Sequence, residues 1–411
     1  MTAVVSFNTR FLYSFFFEPD IEKQKEALIN ASFGKHQVWE LGKPKDFYKQ
    51  EFLEEATDFI FTEGQYFILN HVLNDQWLNE LEVTLNGKPL FKAKASPHDK
   101  IELFLSPQGI GVLSIPLQAD NVSDFDAIKR FNYQLSQAPY KTPSLSLPHN
   151  EKNPNPIPDK NSELIARLGK AGGKWTLVEL RNYLLQPLQS FGLKTAVREQ
   201  FSVYSVLRFK EMDLSNPKVD LSNPEKQAEL RPLLAGLAHL EESKHAGSID
   251  VEQKLLNTHH WCAVGTLAAV HFVADQGEDV AFNNQRVPIV FDKYFIVYLT
   301  ALMQRLVLRH ILMQANRCPH SNKNHSAKDL QALHDLLLTF MIKGYFTEIS
   351  SREVINQYYI LMRKALRIEE AFNTLQRALH DIDAKQSIID AQQSAKERES
   401  PKTKHFYAKQ N

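Results

Sequence analysis

Apolar residues recur every seven positions near the C-terminal end of the chain, and this period constrains the fold more than any other feature. One series comprises Val354, Leu361, Ile368, Leu375, Ile382 and Ile389, and an offset series comprises Tyr358, Ala365, Phe372 and Leu379 before it ends at Gln386. A heptad pattern of this length predicts one uninterrupted helix over residues 354–389, about 54 Å long at 1.5 Å per residue. Other helices must cover its apolar ridge, in an elongated bundle or in an oligomer.

Two further helices are predicted ahead of the heptad segment. The first carries a stripe of Phe295, Leu299, Leu302, Leu306 and Met313, and most of its other faces are apolar too. Such a helix is expected to be central and buried. The second carries Leu330, Leu333, Leu337, Phe340 and Met341. Residues 288–391 are therefore predicted to form a long-helix antiparallel bundle.

Residues 1–138 predict a small α+β module. Residues 9–17 indicate a buried strand rich in aromatic side chains, with a ligand pocket as the less favoured interpretation. Asp20 is a candidate N-cap for the helix that follows. Alternating apolar residues on both sides of Pro107-Gln108-Gly109 predict a β-hairpin. Ser123 then opens an amphipathic helix.

The rest of the chain divides by composition. Residues 139–161 are rich in proline and predict a linker or a long surface loop. Residues 162–287 hold a candidate capping box and a strand at 201–209, and are expected to complete the first module. The polar residues 392–411 are expected to be disordered. The predicted fold class is α+β: an N-terminal α/β sandwich module followed by a C-terminal long-helix antiparallel bundle.

Composition restricts the partners and the compartment. Lys plus Arg and Asp plus Glu both total 48 in 411 residues, so no net charge favours nucleic acid and none is expected as a partner. Two cysteines, Cys262 and Cys318, do not suggest a disulfide framework, which fits a reducing, cytoplasmic setting. The apolar residues 261–274 are too few to cross a membrane, and residues 294–313 contain two arginines. No transmembrane segment is expected.

The polar stretch between the two predicted helices contains a candidate metal site. Cys318, His320 and His325 cluster there, and His334 follows in the next helix. Thiolate and imidazole are zinc ligands, and four such groups could complete a tetrahedral site. Zinc and magnesium are the candidate ions. The spacing matches no standard zinc pattern, so a solvated loop between helices is the competing interpretation.

A second group of histidines precedes it in the sequence. His259 and His260 stand before Trp261, while His271 and Asp275 are four residues apart and could share one helix face. This group is a candidate polar site, and a satisfied, half-buried polar patch is the alternative. The glycine-rich residues 169–176 lack the first Gly and the hydroxyl of a P-loop, which favours a loop that ends a helix. The sequence contains no Gly-x-Ser-x-Gly, His-Glu-x-x-His or Gly-x-Gly-x-x-Gly motif.

The predicted helices over roughly residues 288–391, preceded by an α/β module, resemble the cytoplasmic region of the CorA-like magnesium transporter family. The hairpin segment LFLSPQGIGVLSI is similar to hairpins in soluble CorA-like proteins of unknown role. This resemblance implies a shared architecture and a tendency to oligomerise. The transporters continue into membrane spans with a Gly-Met-Asn motif, which this sequence lacks, so the resemblance does not extend to ion conduction.

These features favour a soluble oligomeric interaction or regulatory protein rather than an enzyme. It is expected to self-associate through the C-terminal helices, and a further protein partner, such as a membrane protein met in the cytosol, is an open alternative. The competing hypothesis is a metal-dependent hydrolase that uses the His and Cys clusters.

Overall fold

The computed structural model describes the following residues: 2–33, 36–70, 81–85, 88–93, 100–120, 125–136, 144–146, 174–196, 201–211, 221–240, 252–257, 259–275, 280–316 and 326–399. The fold is α+β, as predicted, with a mixed sheet and a set of C-terminal helices. Helices cover both faces of the sheet.

The strands are β1 (Thr2–Phe16), β2 (Ser32–Phe33), β3 (His36–Gln37), β4 (Trp39–Leu41), β5 (Tyr66–Leu69), β6 (Leu81–Leu85), β7 (Lys88–Ala93), β8 (Glu102–Ser106), β9 (Ile110–Asp120), β10 (Ser144–Ser146), β11 (Lys174–Thr176), β12 (Lys194–Thr195), β13 (Phe201–Glu211), β14 (Glu252–Asn257), β15 (His260–Val264) and β16 (Ala268–Ala274).

The helices are α1 (Ile21–Ile29), α2 (Asp46–Glu51), α3 (Glu54–Ile60), α4 (Phe125–Ser136), α5 (Leu177–Leu184), α6 (Pro224–His239), α7 (Val280–Ile289), α8 (Phe295–Ala315), α9 (Ser326–Lys343), α10 (Glu353–Ala365) and α11 (Ile368–Glu399). A 3-10 turn covers Gln186–Phe191, and a π-helical turn, Val290–Tyr294, joins α7 to α8.

The main sheet has ten strands among the described residues, in the order β14-β15-β16-β13-β1-β9-β8-β5-β4, with β12 beside β1. Strand β1 lies at its centre and pairs antiparallel with β13 and β9 over most of its length. Strands β13 and β16 form a parallel pair. A smaller sheet has the order β11-β10-β6-β7.

Alternate residues of β1 enter two separate apolar cores, as the two-residue period of a strand requires. Phe11, Tyr13 and Phe15 pack with α4, α5 and α6 on one face, which we call the aromatic face. Leu12 and Phe16 pack with α8, α9, α10 and α11 on the other, which we call the helical face. The first strand is thus a core strand, as its apolar run predicts.

Several local predictions are confirmed. Asp20 caps α1 by accepting a hydrogen bond from the backbone N–H of Lys23, and β8 and β9 form the expected hairpin. Gly109 in its turn has φ +76°, and a Cβ there would lie 2.5 Å from the carbonyl oxygen of Phe17, so glycine is required. Helix α8 is central and buried.

The predicted uninterrupted rod is wrong. The chain leaves the helix at Leu366 and Arg367, where Arg367 has φ +52°, and α10 and α11 are separate helices. Leu366 and Ile368 are both fully buried. On a straight helix these two residues would point in nearly opposite directions, whereas the turn brings both into the same apolar core. The heptad spacing therefore does not require one continuous helix, and its first member, Val354, is 42% exposed.

The predicted boundaries also differ from the observed elements. Residues 287 and 288 lie inside a continuous helical run, 280–315. Ser144–Ser146, in the segment predicted as a linker, forms a strand, and the rest of that segment lies outside the described residues. Helix α11 continues to Glu399, into the segment expected to be disordered, and residues 400–411 are outside the described part.

Among the described residues, one helical run, Gln285–Ala315, is long and apolar enough to cross a membrane, and most of it is buried inside the protein. Burial of this kind is typical of the core helix of a globular fold.

Candidate functional site

The π-helical turn Val290–Tyr294, called the π turn below, contacts polar side chains of several other elements of the fold. Turns of this type, inserted into α-helices, occur frequently at functional sites. Asp292 contacts Arg10 of β1, Lys293 contacts Glu51 of α2, and Tyr294 packs on two histidines. Each polar residue of the turn therefore has a different partner.

Arg10 lies at the centre of the first polar cluster and is almost fully buried. Its guanidinium donates to Glu102 Oε2 at 2.6 Å and to Asp292 Oδ1 at 3.2 Å. The rings of Phe291 and Phe295 lie 4.6 and 4.4 Å from the guanidinium carbon. The cation is thus held by two carboxylates and by two aromatic rings.

The same cluster extends to Lys45 and Tyr66. Lys45 pairs with Asp292, and the Tyr66 hydroxyl donates to Glu102 Oε1 at 2.6 Å. Burial raises the pKa of Glu102 above its ordinary value, although Arg10 and Tyr66 oppose that shift. Burial also raises the pKa of Tyr66 well above its usual range, so its phenol stays protonated and can donate. Two cations and two carboxylates balance this cluster.

A second polar group links β15 and β16 to α10. His260 Nε2 lies 2.7 Å from His271 Nδ1, and His271 Nε2 lies 2.6 Å from the Tyr358 hydroxyl. We call His260, His271 and Tyr358 the His–Tyr chain. All three are buried, and the ring of Tyr294 packs edge-on against His260 at 5.0 Å and against Tyr358 at 5.1 Å.

Burial sets the charge state of the His–Tyr chain. It lowers the pKa of His260 to about 3, helped by the positive charge of Arg286, and it lowers the pKa of His271 well below its ordinary value. Burial also raises the pKa of Tyr358 well above its usual range. Both imidazoles are therefore neutral at pH 7, and each carries one proton on one of its two nitrogens. The hydrogen bonds of the His–Tyr chain can therefore be donated from His260 towards Tyr358 or from Tyr358 towards His260. Neither arrangement requires a charged imidazole.

Charged residues surround the His–Tyr chain at the ends of β13 and β16. Arg208 binds Asp275 through two hydrogen bonds, at 2.6 and 3.0 Å. On the other side, Glu51 forms ion pairs with Lys293 at 2.6 Å and with Arg352, just before α10, at 2.7 Å. These contacts attach both the π turn and the start of α10 to the rest of the fold.

The structure places the predicted polar patch differently from the expected helix. His271 lies on β16, and Asp275 directly follows that strand and binds Arg208, so the two do not share a helix face. The β15–β16 pairing brings His260 beside His271 instead. His259 lies in the turn before β15 and is half-buried. Gly265 and Thr266, between two runs rich in alanine, valine and aromatic residues, are the turn signal that would have indicated a hairpin.

The predicted metal group stays untested. Cys318, His320 and His325 lie outside the described residues, and His334 lies half-buried on α9. Within the described ranges, no three His, Cys, Asp or Glu side chains are grouped so that they could hold a metal ion. In the glycine-rich candidate, residues 174–176 form β11 and the rest lies outside those ranges.

Sequence reasoning missed the Arg10 cluster entirely. Part of the signal was available in the sequence, because Arg10 is the single charge within the largely apolar residues 2–17. A charge at such a position must be paired once the run is buried. Which charges meet depends on the order of strands in the sheet, which the local pattern does not contain.

Comparison with known proteins gives no relative: no family model, no curated protein and no solved structure matches this chain.

Proposed function

We propose that this chain is a cytoplasmic interaction or regulatory protein that assembles with a second copy of itself through its C-terminal helices. The observation that carries the proposal is an exposed apolar face on α9. Leu338, Met341 and Ile342 are 56%, 42% and 70% exposed. They are spaced three and four residues apart, so they share one side of the helix.

The C-terminal end of α9 lies near the first turns of α11. Tyr345, just past the end of α9, stacks on Phe372 of α11 with ring centroids 4.5 Å apart. Phe372 and its neighbour Ala371 are themselves only partly buried. We therefore infer that a partner seated on the exposed side of α9 would also reach α11.

Helix α11 continues well beyond its last side chain described as buried, Leu379. It runs on to Glu399, about 30 Å at 1.5 Å per residue. His380, Asp381, Ala384, Ser387 and Ala391, which occupy the outer positions of the heptad, are all exposed. The seven-residue period of the sequence continues through Ile382 and Ile389. A helix with this period is suited to pair with the same helix of another copy.

The area that a stable interface buries supports one interface that combines the α9 face with α11, rather than two separate interfaces. Three side chains amount to a patch of at most a few hundred Å². A stable interface buries about 800 Å² on each partner. The α9 face is therefore too small alone, and the neighbouring α11 supplies the additional surface.

The test is light scattering of the full chain in physiological salt, over a range of concentrations. We expect a dimer or a larger assembly. Ile382→Asp with Ile389→Asp should shift it to monomer, because carboxylates cannot enter an apolar helix seam. The matched control is Ala384→Asp with Ala391→Asp, which adds the same charges to exposed positions of the same helix and should leave the assembly intact.

The α9 face has its own pair of variants. Ile342→Asp should weaken the assembly at least tenfold, and Ala332→Asp, exposed on the same helix but not three or four residues from any member of the face, should not. A wild-type chain that stays monomeric at high concentration would contradict the proposed function.

A further inference from the structure

We infer that the His–Tyr chain is an acid-released latch that holds α10 on the sheet. The argument rests on the geometry of the three side chains. It concerns the attachment of one helix within one chain, so it does not depend on self-association.

The latch connects two separate parts of the fold. His260 and His271 belong to neighbouring strands at one end of the sheet, and Tyr358 lies midway along α10. Other polar contacts of α10 join it to helices and loops: Tyr359 donates to Gln304 of α8 at 2.7 Å, and Arg363 donates to the Phe346 carbonyl. Among the residues that the structure describes, the Tyr358–His271 contact is the hydrogen bond that attaches α10 to β16.

The facing imidazole nitrogens can accommodate only one proton between them. At 2.7 Å, His260 Nε2 and His271 Nδ1 form one hydrogen bond, in which one nitrogen donates and the other accepts. If both rings became imidazolium, two N–H groups would face each other, and the bond would be replaced by repulsion. A single extra proton would leave an imidazolium in a fully buried site that is already close to Arg286. Acid therefore favours a state in which the rings separate and reach water.

Every element packed around the latch contributes charged or titratable groups. Tyr204 and Arg208 belong to β13, Cys262 to β15, Lys254 to β14 and Tyr298 to α8. Asp275 follows β16, Arg286 lies on α7, Lys293 and Tyr294 lie in the π turn, Glu51 lies on α2, and Arg352 stands just before α10. Asp275 is bound to Arg208, and Glu51 is bound to Lys293 and Arg352. These carboxylates are already engaged by cations, and no carboxylate raises the pKa of either histidine, so an imidazolium formed there would gain little compensation.

Cys262 provides a reporter for release. It is a fully buried free thiol on β15, opposite His271 in the strand register, and it lies within electrostatic reach of Tyr294 and Tyr358. Separation of α10 from the sheet would expose it. In a Cys318→Ser background it is the single thiol of the chain.

The experiment measures the reaction of Cys262 with a disulfide reagent that acts in acid, such as dithiodipyridine, from pH 8 to pH 4.5. Rates are divided by those of the same chain in denaturant, which removes the pH dependence of the thiol itself. We expect the normalised rate to rise below about pH 6.5, by about tenfold per pH unit for each histidine that gains a proton on release. His380→Gln, which changes an exposed histidine on α11, should show the same rise.

Two sets of variants separate the latch from a merely structural contact. His260→Gln with His271→Gln keeps polar groups in place but should abolish the rise, and His260→Gln alone should make it less steep if the double variant does not fold. Tyr358→Phe should speed labelling at pH 7.5 and leave the steepness unchanged, because it removes the hydroxyl but keeps both titrating rings.

Three results would overturn the inference. They are a rate that does not change with pH, an unchanged rise in the double glutamine variant, and a rise that coincides with loss of the far-ultraviolet circular dichroism of the chain. The last result would show that the whole chain unfolds.

Discussion

The two faces of the central sheet are closed by different interactions. On the aromatic face, Phe131 of α4 packs edge-on against Phe7 and Phe11 of β1, with centroids 5.9 and 5.6 Å apart. On the helical face, the same strand contributes Arg10 to a buried cluster of charges, and β15 and β16 contribute two neutral histidines. One face is held mainly by apolar contacts, whose strength does not depend on protonation. The other has a large apolar core as well, but it also contains buried charges that must remain paired.

The difference indicates why the C-terminal helices are attached through polar groups. Apolar contacts alone allow helices to shift along one another, whereas an ion pair or a hydrogen bond fixes one arrangement. Buried ion pairs need not add net stability, because removing charges from water costs as much as the pairing returns. We therefore expect the polar groups to determine where the π turn and α10 lie, and the apolar groups to supply most of the stability.

The largest effect should come from the aromatic face. Phe131→Ala is expected to lower the free energy of unfolding by about 3–5 kcal/mol, because it leaves a cavity against Phe7 and Phe11. Urea unfolding at pH 7.5 and at pH 6 should give the same loss, since no titrating group is involved. Ile360→Ala, which truncates an exposed side chain on α10, should change stability by less than about 0.5 kcal/mol. A similar loss in both variants would remove the distinction.

Arg10→Ala should have the next largest effect and lower the free energy of unfolding by about 3 kcal/mol, because it leaves Glu102 and Asp292 buried without their cation. The pKa of Glu102, already raised by burial, should rise further. Replacing the three buried charges with neutral groups, Arg10→Met with Glu102→Gln and Asp292→Asn, should recover most of the loss, because the remaining charge, Lys45, is exposed to water. Urea unfolding of the single and triple variants measures both. A triple variant less stable than Arg10→Ala would contradict this account.

The helical face should also make stability depend on pH. The pKa of His260 is about 3 in the folded protein, below the ordinary value of 6.5 expected after unfolding, so the unfolded chain takes up its proton first as pH falls. The contribution of His260 is therefore fully present above about pH 6.5 and is lost progressively between about pH 6.5 and pH 3. Between pH 7.5 and 5 the expected loss is about 2 kcal/mol. His260→Gln should flatten this dependence in urea titrations, and an unchanged dependence would contradict the assignment.

The smallest effect concerns the turn that divides the predicted rod. Arg367 has a left-handed backbone, which is unfavourable for a residue with a side chain. Arg367→Gly should therefore raise the free energy of unfolding by about 0.5–1 kcal/mol. Lys364→Gly, on an exposed position inside α10, should lower it by about 1 kcal/mol. If both changes destabilise equally in thermal unfolding, residue 367 is helical and the rod is continuous.

The sequence predicts what depends on neighbouring residues. The hairpin around Gly109, the cap at Asp20 and the buried course of α8 all follow from local spacing and residue type. The break after Ala365 does not, because the heptad continues through it without a change of period. The break is visible only in the packed fold, where the left-handed backbone of Arg367 brings both Leu366 and Ile368 into one core.

The sequence predicted part of the polar site. His260 and His271 were identified together, but their contact depends on the β15–β16 register, and the assumption of a helix paired His271 with Asp275 instead. Arg10 and Asp292 are 282 positions apart. No local pattern relates them, because their meeting follows from the order of ten strands and from the course of the π turn.

Hydrogen exchange followed by mass spectrometry at several pH values, corrected for intrinsic exchange rates, tests most directly whether the two faces respond differently to acid. We predict that amides of α10 lose protection as the pH falls from 7.5 to 5, while amides of α4 and α6, on the aromatic face, keep theirs. Equal loss of protection on both faces, or no loss in α10, would contradict the account.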